Sequence, residues 1–113
     1  MRIQDDAGNT VIVDLPPEPD MTEELETVIA MVRQQVDRDV AIDFTNVGVV
    51  TSSSLSRLLQ LRKIMHDNGR RLVLCNVAPM THGIFSVVGF DELFEFCDRT
   101  EVAGRQQKKS LAD

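Results

Sequence analysis

The strongest constraint on the fold is an alternation of two hydrophobic periods along one short chain. β-rich runs at residues 10–13 (TVIV), 40–44 (VAIDF) and 71–77 (RLVLCNV) are separated by two stretches whose apolar residues recur at helical spacing. A recurrence every three or four residues puts the apolar side chains on one helical face, whereas short β-branched runs favour strands. Strands separated by helices are joined as parallel neighbours through crossovers, so the alternation predicts an α/β domain. The run LVLC has an unbroken apolar centre, which predicts a strand central in the sheet or covered on both faces.

The connections follow from local chemistry. Residues 1–5 are expected to form a short edge strand, Ala7-Gly8-Asn9 a turn, and residues 10–13 the second arm of an opening hairpin. Pro16, Pro17 and Pro19 end it, because proline supplies no ladder N–H. Asp20 followed by Glu23 has the form of a capping box with Asp as the cap. Behind it Leu25, Val28, Ile29, Val32 and Val36 form the buried stripe of a first helix, with Asp37-Arg38-Asp39 as its polar exit. A second helix is expected to run to about Asn68, burying Leu55, Leu58, Leu59, Leu61 and Met65. Asn68-Gly69 supplies the left-handed residue that stops it. Pro79 suits the first position of a third helix, with Ile84, Val87 and Val88 as its apolar positions and Gly89 as its end. Leu93-Phe94-Glu95-Phe96 is the expected last strand.

The predicted order is therefore β-β-α-β-α-β-α-β: a single α/β domain over residues 1–98, with a mixed sheet of about four to five strands packed with three to four helices. Residues 99–113 (RTEVAGRQQKKSLAD) turn polar and read as a tail or an extra exposed helix.

Composition excludes several function classes. The net charge of −6 opposes nucleic-acid binding, and the five aromatic residues, all Phe, offer no stacking platform for single strands. No apolar stretch is long enough to span a bilayer and the N-terminus lacks a signal-peptide core, so no membrane insertion and a cytoplasmic location are expected. Cys75 and Cys97 lie in apolar segments and read as two buried thiols rather than a disulfide. His66 and His82 fit no metal-ligand spacing, and there is neither a G-x-S-x-G elbow nor a P-loop. Asp43, Asp91 and Glu92 are carboxylates with no evident partner in sequence. The expectation is no catalytic residue, no metal and no cofactor.

What stands out is Thr51-Ser52-Ser53-Ser54, four hydroxyls between Val49-Val50 and Leu55 at a strand-to-helix junction. A hydroxyl there can cap the helix by accepting a free first-turn N–H. The same N–H groups and the helix dipole also favour an anion, so a phosphoryl group would be tolerated. Both readings are open on these residues alone.

Over residues 10–97 the chain resembles the STAS domains, of which the anti-sigma factor antagonists are the small stand-alone members. Ile42-Asp43-Phe44 matches the family's D-L strand end, and Val49-Val50-Thr51-Ser52-Ser53-Ser54-Leu55 its hydrophobic-D-S-S-G-L signature. Asn68-Gly69, the strand from Leu72 to Val77, Ala78-Pro79 and Val88-Gly89-Phe90-Asp91-Glu92-Leu93-Phe94 follow in the family's order. Thr51 stands where the family has Asp and Ser54 where it has Gly, and the G-x-L-D turn appears as Pro17-Glu18-Pro19-Asp20. The resemblance implies a module that binds an anti-sigma factor which is also a serine kinase, and that is switched off by phosphorylation and restored by a serine phosphatase. The phosphorylated residue corresponds to Ser52, with Thr51 and Ser53 as alternatives. The implied partner surface is Thr51, Ser52, Ser53, Ser54, Ser56 and Arg57, joined by Asp20 and Thr22 at the start of the first helix. Other roles in the family are a subunit of a lipid-transport ABC system and a ligand or nucleotide sensor.

Overall fold

An antiparallel hairpin opens the chain: β1 (Arg2–Asp6) pairs with β2 (Thr10–Asp14), Ile3 opposite Val13. The computed structural model describes residues 2–6, 10–35 and 37–97. The expected turn at residues 7–9, Val36 of the first-helix stripe and the tail at residues 99–113 lie outside the described residues. The chain continues through α1 (Asp20–Gln34), β3 (Asp39–Asp43), α2 (Ser52–Asp67), β4 (Leu72–Cys75), α3 (Pro79–Val87), α4 (Phe90–Leu93) and β5 (Glu95–Cys97). The sheet order is β1-β2-β3-β4-β5, with β2 to β5 all parallel. Each strand thus lies beside its predecessor, which short right-handed crossovers produce.

The core is built mainly on one face of the sheet. Val13, Val40, Ile42, Leu72 and Leu74 point toward the helices and meet Leu25, Val28, Ile29 and Val32 of α1 and Leu58, Leu61 and Met65 of α2. Full burial of a side chain of this size contributes about 1.5–3 kcal/mol. The alternate residues Ile12, Ala41 and Val73 are register partners in one row and are also buried, as a second cluster on the opposite face. All four residues of β4 are buried for that reason, in agreement with its unbroken apolar sequence.

Several expectations need correction. Asp20 is not the cap of α1; it is the first helical residue, and Pro19, which has no side-chain acceptor, occupies the cap position. Asp39 belongs to β3 rather than to the polar exit of α1. Leu59 is 42% exposed, not buried, because the stripe runs through Ser54, Leu58, Leu61 and Met65 and leaves Leu59 one residue round the helix. Helix α3 has the expected ends, but Ile84, Val87 and Val88 face outward, Val87 at 87% exposure, while Thr81 and Phe85 are buried. Phe85 takes the interior position because its ring packs edge-on against Phe44, centroids 5.9 Å apart, and against Phe90 at 5.4 Å.

Helix α4 is an addition to the expected order. Gly89 adopts φ 85, a left-handed conformation that costs glycine nothing, and the chain reverses there into the single turn of α4. Phe90 and Phe94 are both buried by that turn, so the last strand begins at Glu95 instead of Leu93.

Candidate functional site

Because β3 and β4 are parallel neighbours, the connections into α2 and α3 leave the same edge of the sheet. That edge is tied by hydrogen bonds around Asp43, a buried carboxylate whose partners only the fold reveals. Its Oδ1 accepts from the Thr45 N–H (2.8 Å), the Thr45 hydroxyl (2.5 Å) and Asn76 Nδ2 (3.3 Å). Asn76 Nδ2 also donates to Thr45 Oγ1 (3.2 Å), and Asn76 itself sits at φ 57. Burying a carboxylate is costly unless its oxygens are hydrogen-bonded, and here the bonds also hold the two strand exits together.

The four hydroxyls at that edge divide into two pairs. Thr51 is the N-cap of α2, with extended backbone at φ −116 and ψ 167. Its Oγ1 accepts from the Ser54 N–H (3.1 Å), and Ser54 Oγ accepts from the Thr51 N–H (2.9 Å), a reciprocal capping box. Ser54 Oγ also donates to the Thr51 carbonyl (2.9 Å) and is fully buried. Ser54 is therefore corrected out of the expected partner surface. Ser52 and Ser53 are exposed and make no side-chain hydrogen bond to the described residues. They occupy the first two helical positions, where backbone N–H groups have no acceptor within the helix.

Glu18 joins this site to α1, and sequence reasoning missed it. Its Oε2 accepts from the Thr51 hydroxyl (2.9 Å), while Oε1 accepts from the Thr22 N–H (3.2 Å) and hydroxyl (3.0 Å). Glu18 thus does for α1 what Asp20 was expected to do, and one carboxylate bridges two helix starts. The only local signal is its position four residues before Thr22; its partner Thr51 is far along the chain. Asp20 is exposed and supplies negative charge to the first turn of α1, where the dipole favours it.

Of the remaining expected residues, Ser56 is exposed. Arg57 is half-buried and ion-paired to Glu26 of α1, with Nε at 2.9 Å and Nη2 at 2.8 Å from Oε2. Its charge already has a protein partner. The same rim carries apolar groups open to solvent: Val49 is 66% exposed just before the hydroxyl run, and Met80 is 80% exposed in the first turn of α3.

One cluster has the composition of a hydrolytic triad without its geometry. Asp91 accepts from the Ser86 hydroxyl and pairs with His82 Nε2 at 3.3 Å. The serine bonds to the carboxylate rather than to the imidazole, so the serine–histidine contact that defines such a triad is not formed. Among the described residues no group of three or more His, Cys, Asp or Glu could hold a metal ion, and no helix is long and apolar enough to cross a membrane.

Comparison with known proteins agrees with this architecture. The anti-sigma-B factor antagonist of Staphylococcus aureus (strain NCTC 8325 / PS 47) is 28% identical over 79 residues, covering 70% of this chain and 73% of the relative. The anti-sigma factor antagonist SpoIIAA in its unphosphorylated form superimposes with a TM-score of 0.69 at 16% identity, covering 92% of this chain and 94% of that one. The Bacillus cell fate determinant SpoIIAA in its phosphorylated form gives a TM-score of 0.70 at 17% identity, covering 92% and 96%. The STAS domain model matches residues 9–103, and with the parallel sheet, the helices on one face and the hydroxyl-bearing start of α2 it establishes that the chain belongs to the STAS domain family.

Proposed function

We propose that this chain is an anti-sigma factor antagonist that acts by binding, in the cytoplasm, to an anti-sigma factor with serine kinase activity, and that phosphorylation of Ser52 switches it off. The observation that carries the reading is the division of the hydroxyl run. Thr51 and Ser54 are engaged in the cap, whereas Ser52 presents an exposed hydroxyl with no competing side-chain bond. Ser53 is the second choice on the same grounds. Thr51 is disfavoured, since a phosphoryl group there would forfeit the cap and meet the Glu18 carboxylate that now accepts its hydroxyl.

The chemistry of the switch follows. A phosphoserine carries about −1.5 to −2 charge at neutral pH. At the first position of α2 that charge lies beside unbonded N–H groups, so the modified domain stays folded. Against a partner surface the same charge resists desolvation and would separate an interface that includes apolar neighbours such as Val49 and Met80. The two SpoIIAA forms match this fold equally well, which supports a switch at the surface rather than in the fold. A serine phosphatase would reverse it.

The test is intact-mass analysis after incubation with the anti-sigma kinase encoded in the same genome and ATP. One phosphoryl group is expected on the wild type and none on Ser52→Ala. Ser52→Asp should weaken binding to that kinase by at least about tenfold, or about 1.4 kcal/mol. Addition that persists in Ser52→Ala, or no addition to the wild type, would overturn the assignment.

A further inference from the structure

The last residues of β4 and β5 place two thiols side by side. Cys75 and Cys97 are direct partners in the parallel register, and their Sγ atoms stand 3.0 Å apart without a disulfide bond. Neighbouring strands lie about 4.7–4.9 Å apart, within the range of about 4.4–6.8 Å over which Cα atoms accept a disulfide. The strand spacing and the contact between the two sulfurs both suit the bond. The two sulfurs differ in access: Cys75 is buried in the cluster of Ile12, Ala41 and Val73, while Cys97 is only partly covered on the same face.

The geometry points to a redox modification site, a reversible intramolecular disulfide between Cys75 and Cys97 formed by exchange with a low-molecular-weight disulfide of the glutathione class. The accessible Cys97 thiolate attacks one sulfur of the small disulfide, forming a mixed disulfide and expelling one glutathione thiolate. The Cys75 thiolate then attacks Cys97 Sγ, forming the protein disulfide and expelling the second. The protein gives up two electrons and two protons, and one glutathione disulfide becomes two glutathione thiols. Buried Cys75 is the resolving thiol because its Sγ already lies 3.0 Å from Cys97 Sγ.

The bond would fasten a weakly held edge. β5 has three residues, and its other end is secured by the ion pair of Arg71 with Glu95 at 2.8 Å. Joining positions that are 22 residues apart closes a loop containing α3 and α4, the elements after the β4 exit that borders the hydroxyl site. This inference is independent of phosphorylation at Ser52.

The experiment uses the full reduced chain and oxidised glutathione, read by intact mass and by alkylation of the remaining thiols. The expected product has lost two hydrogens, carries no glutathione, presents no alkylatable thiol, runs as a monomer without reductant, and reverts with dithiothreitol. Cys75→Ser should instead retain one glutathione on Cys97, because the resolving sulfur is gone. Cys97→Ser should react at least about tenfold more slowly than Cys75→Ser, since the remaining thiol is buried. A wild-type protein that accumulates a glutathione adduct, forms a disulfide-linked dimer, or keeps both thiols under these conditions would overturn the proposal.

Discussion

At the scale of single residues, four adjacent hydroxyls have unlike roles. Thr51 and Ser54 each accept a backbone N–H at the start of α2, and Thr51 also donates to Glu18. Removing an N-cap hydroxyl typically costs about 1 kcal/mol, and leaving a buried donor unpaired about 1–3 kcal/mol. Thr51→Ala and Ser54→Ala are therefore each expected to lower stability by about 1–2 kcal/mol in urea unfolding. Ser52→Ala, at an exposed position, should stay within about 0.5 kcal/mol of the wild type. Equal losses for Ser52→Ala and Thr51→Ala would show that the cap is assigned to the wrong side chain. The sequence places all four hydroxyls at a helix start, but cannot distinguish them, because the distinction depends on which side chain turns back onto the backbone and which faces solvent.

At the scale of elements, the short strand β5 is held to β4 partly by charge. Arg71 donates to both oxygens of Glu95, Nε to Oε1 at 3.0 Å and Nη2 to Oε2 at 2.8 Å. That hydrogen bond holds the Glu95 carboxyl below the ordinary carboxylate range, against a smaller opposing effect of burial, and raises the Arg71 guanidinium. A carboxyl with a lowered folded pKa contributes stability that is fully present above its unfolded value and is lost as pH falls through the folded one. Both groups are largely solvent-exposed, so the contribution is at most about 1 kcal/mol after screening. Glu95→Gln should reduce stability by that amount near pH 7 and by progressively less as pH falls below about 4, measured as urea midpoints across the acid range. Helix periodicity was a better guide to where elements lie than to which side they bury. In α2 Leu58, Leu61 and Met65 of the expected stripe are buried, Leu55 is partly buried and Leu59 is exposed, while in the nine-residue α3 the apolar positions expected inside lie outside. A short helix with apolar residues around most of its surface has no single face that its own sequence selects.

At the scale of the whole molecule, a chain with few aromatics gathers all five of its phenylalanines into one contact zone. Phe85 touches Phe44, Phe90 and Phe96, and so fixes α3, α4 and β5 to the helix-covered face of the sheet. Phe85→Ala is expected to cost about 3–5 kcal/mol, a large part of the roughly 5–15 kcal/mol that holds a domain folded. Val87→Ala, two residues away and 87% exposed, should change stability by less than about 0.5 kcal/mol. Thermal or urea unfolding of the two variants checks both values.

Local spacing in the sequence determined the order of strands and helices apart from α4, the helix stops at Gly69 and Gly89, and the hydroxyl run at the start of α2. These follow from backbone sterics and from hydrophobic periods of a few residues, which need no distant partner. Only the tertiary structure decided that Glu18 reaches Thr51, that Asn76 closes on Asp43, that Ser54 is buried, and that Cys75 faces Cys97. Each of these joins residues from different elements or depends on what packs above them. Strand register and the packing of helices on the sheet set those distances, and no stretch of sequence shorter than the domain contains them.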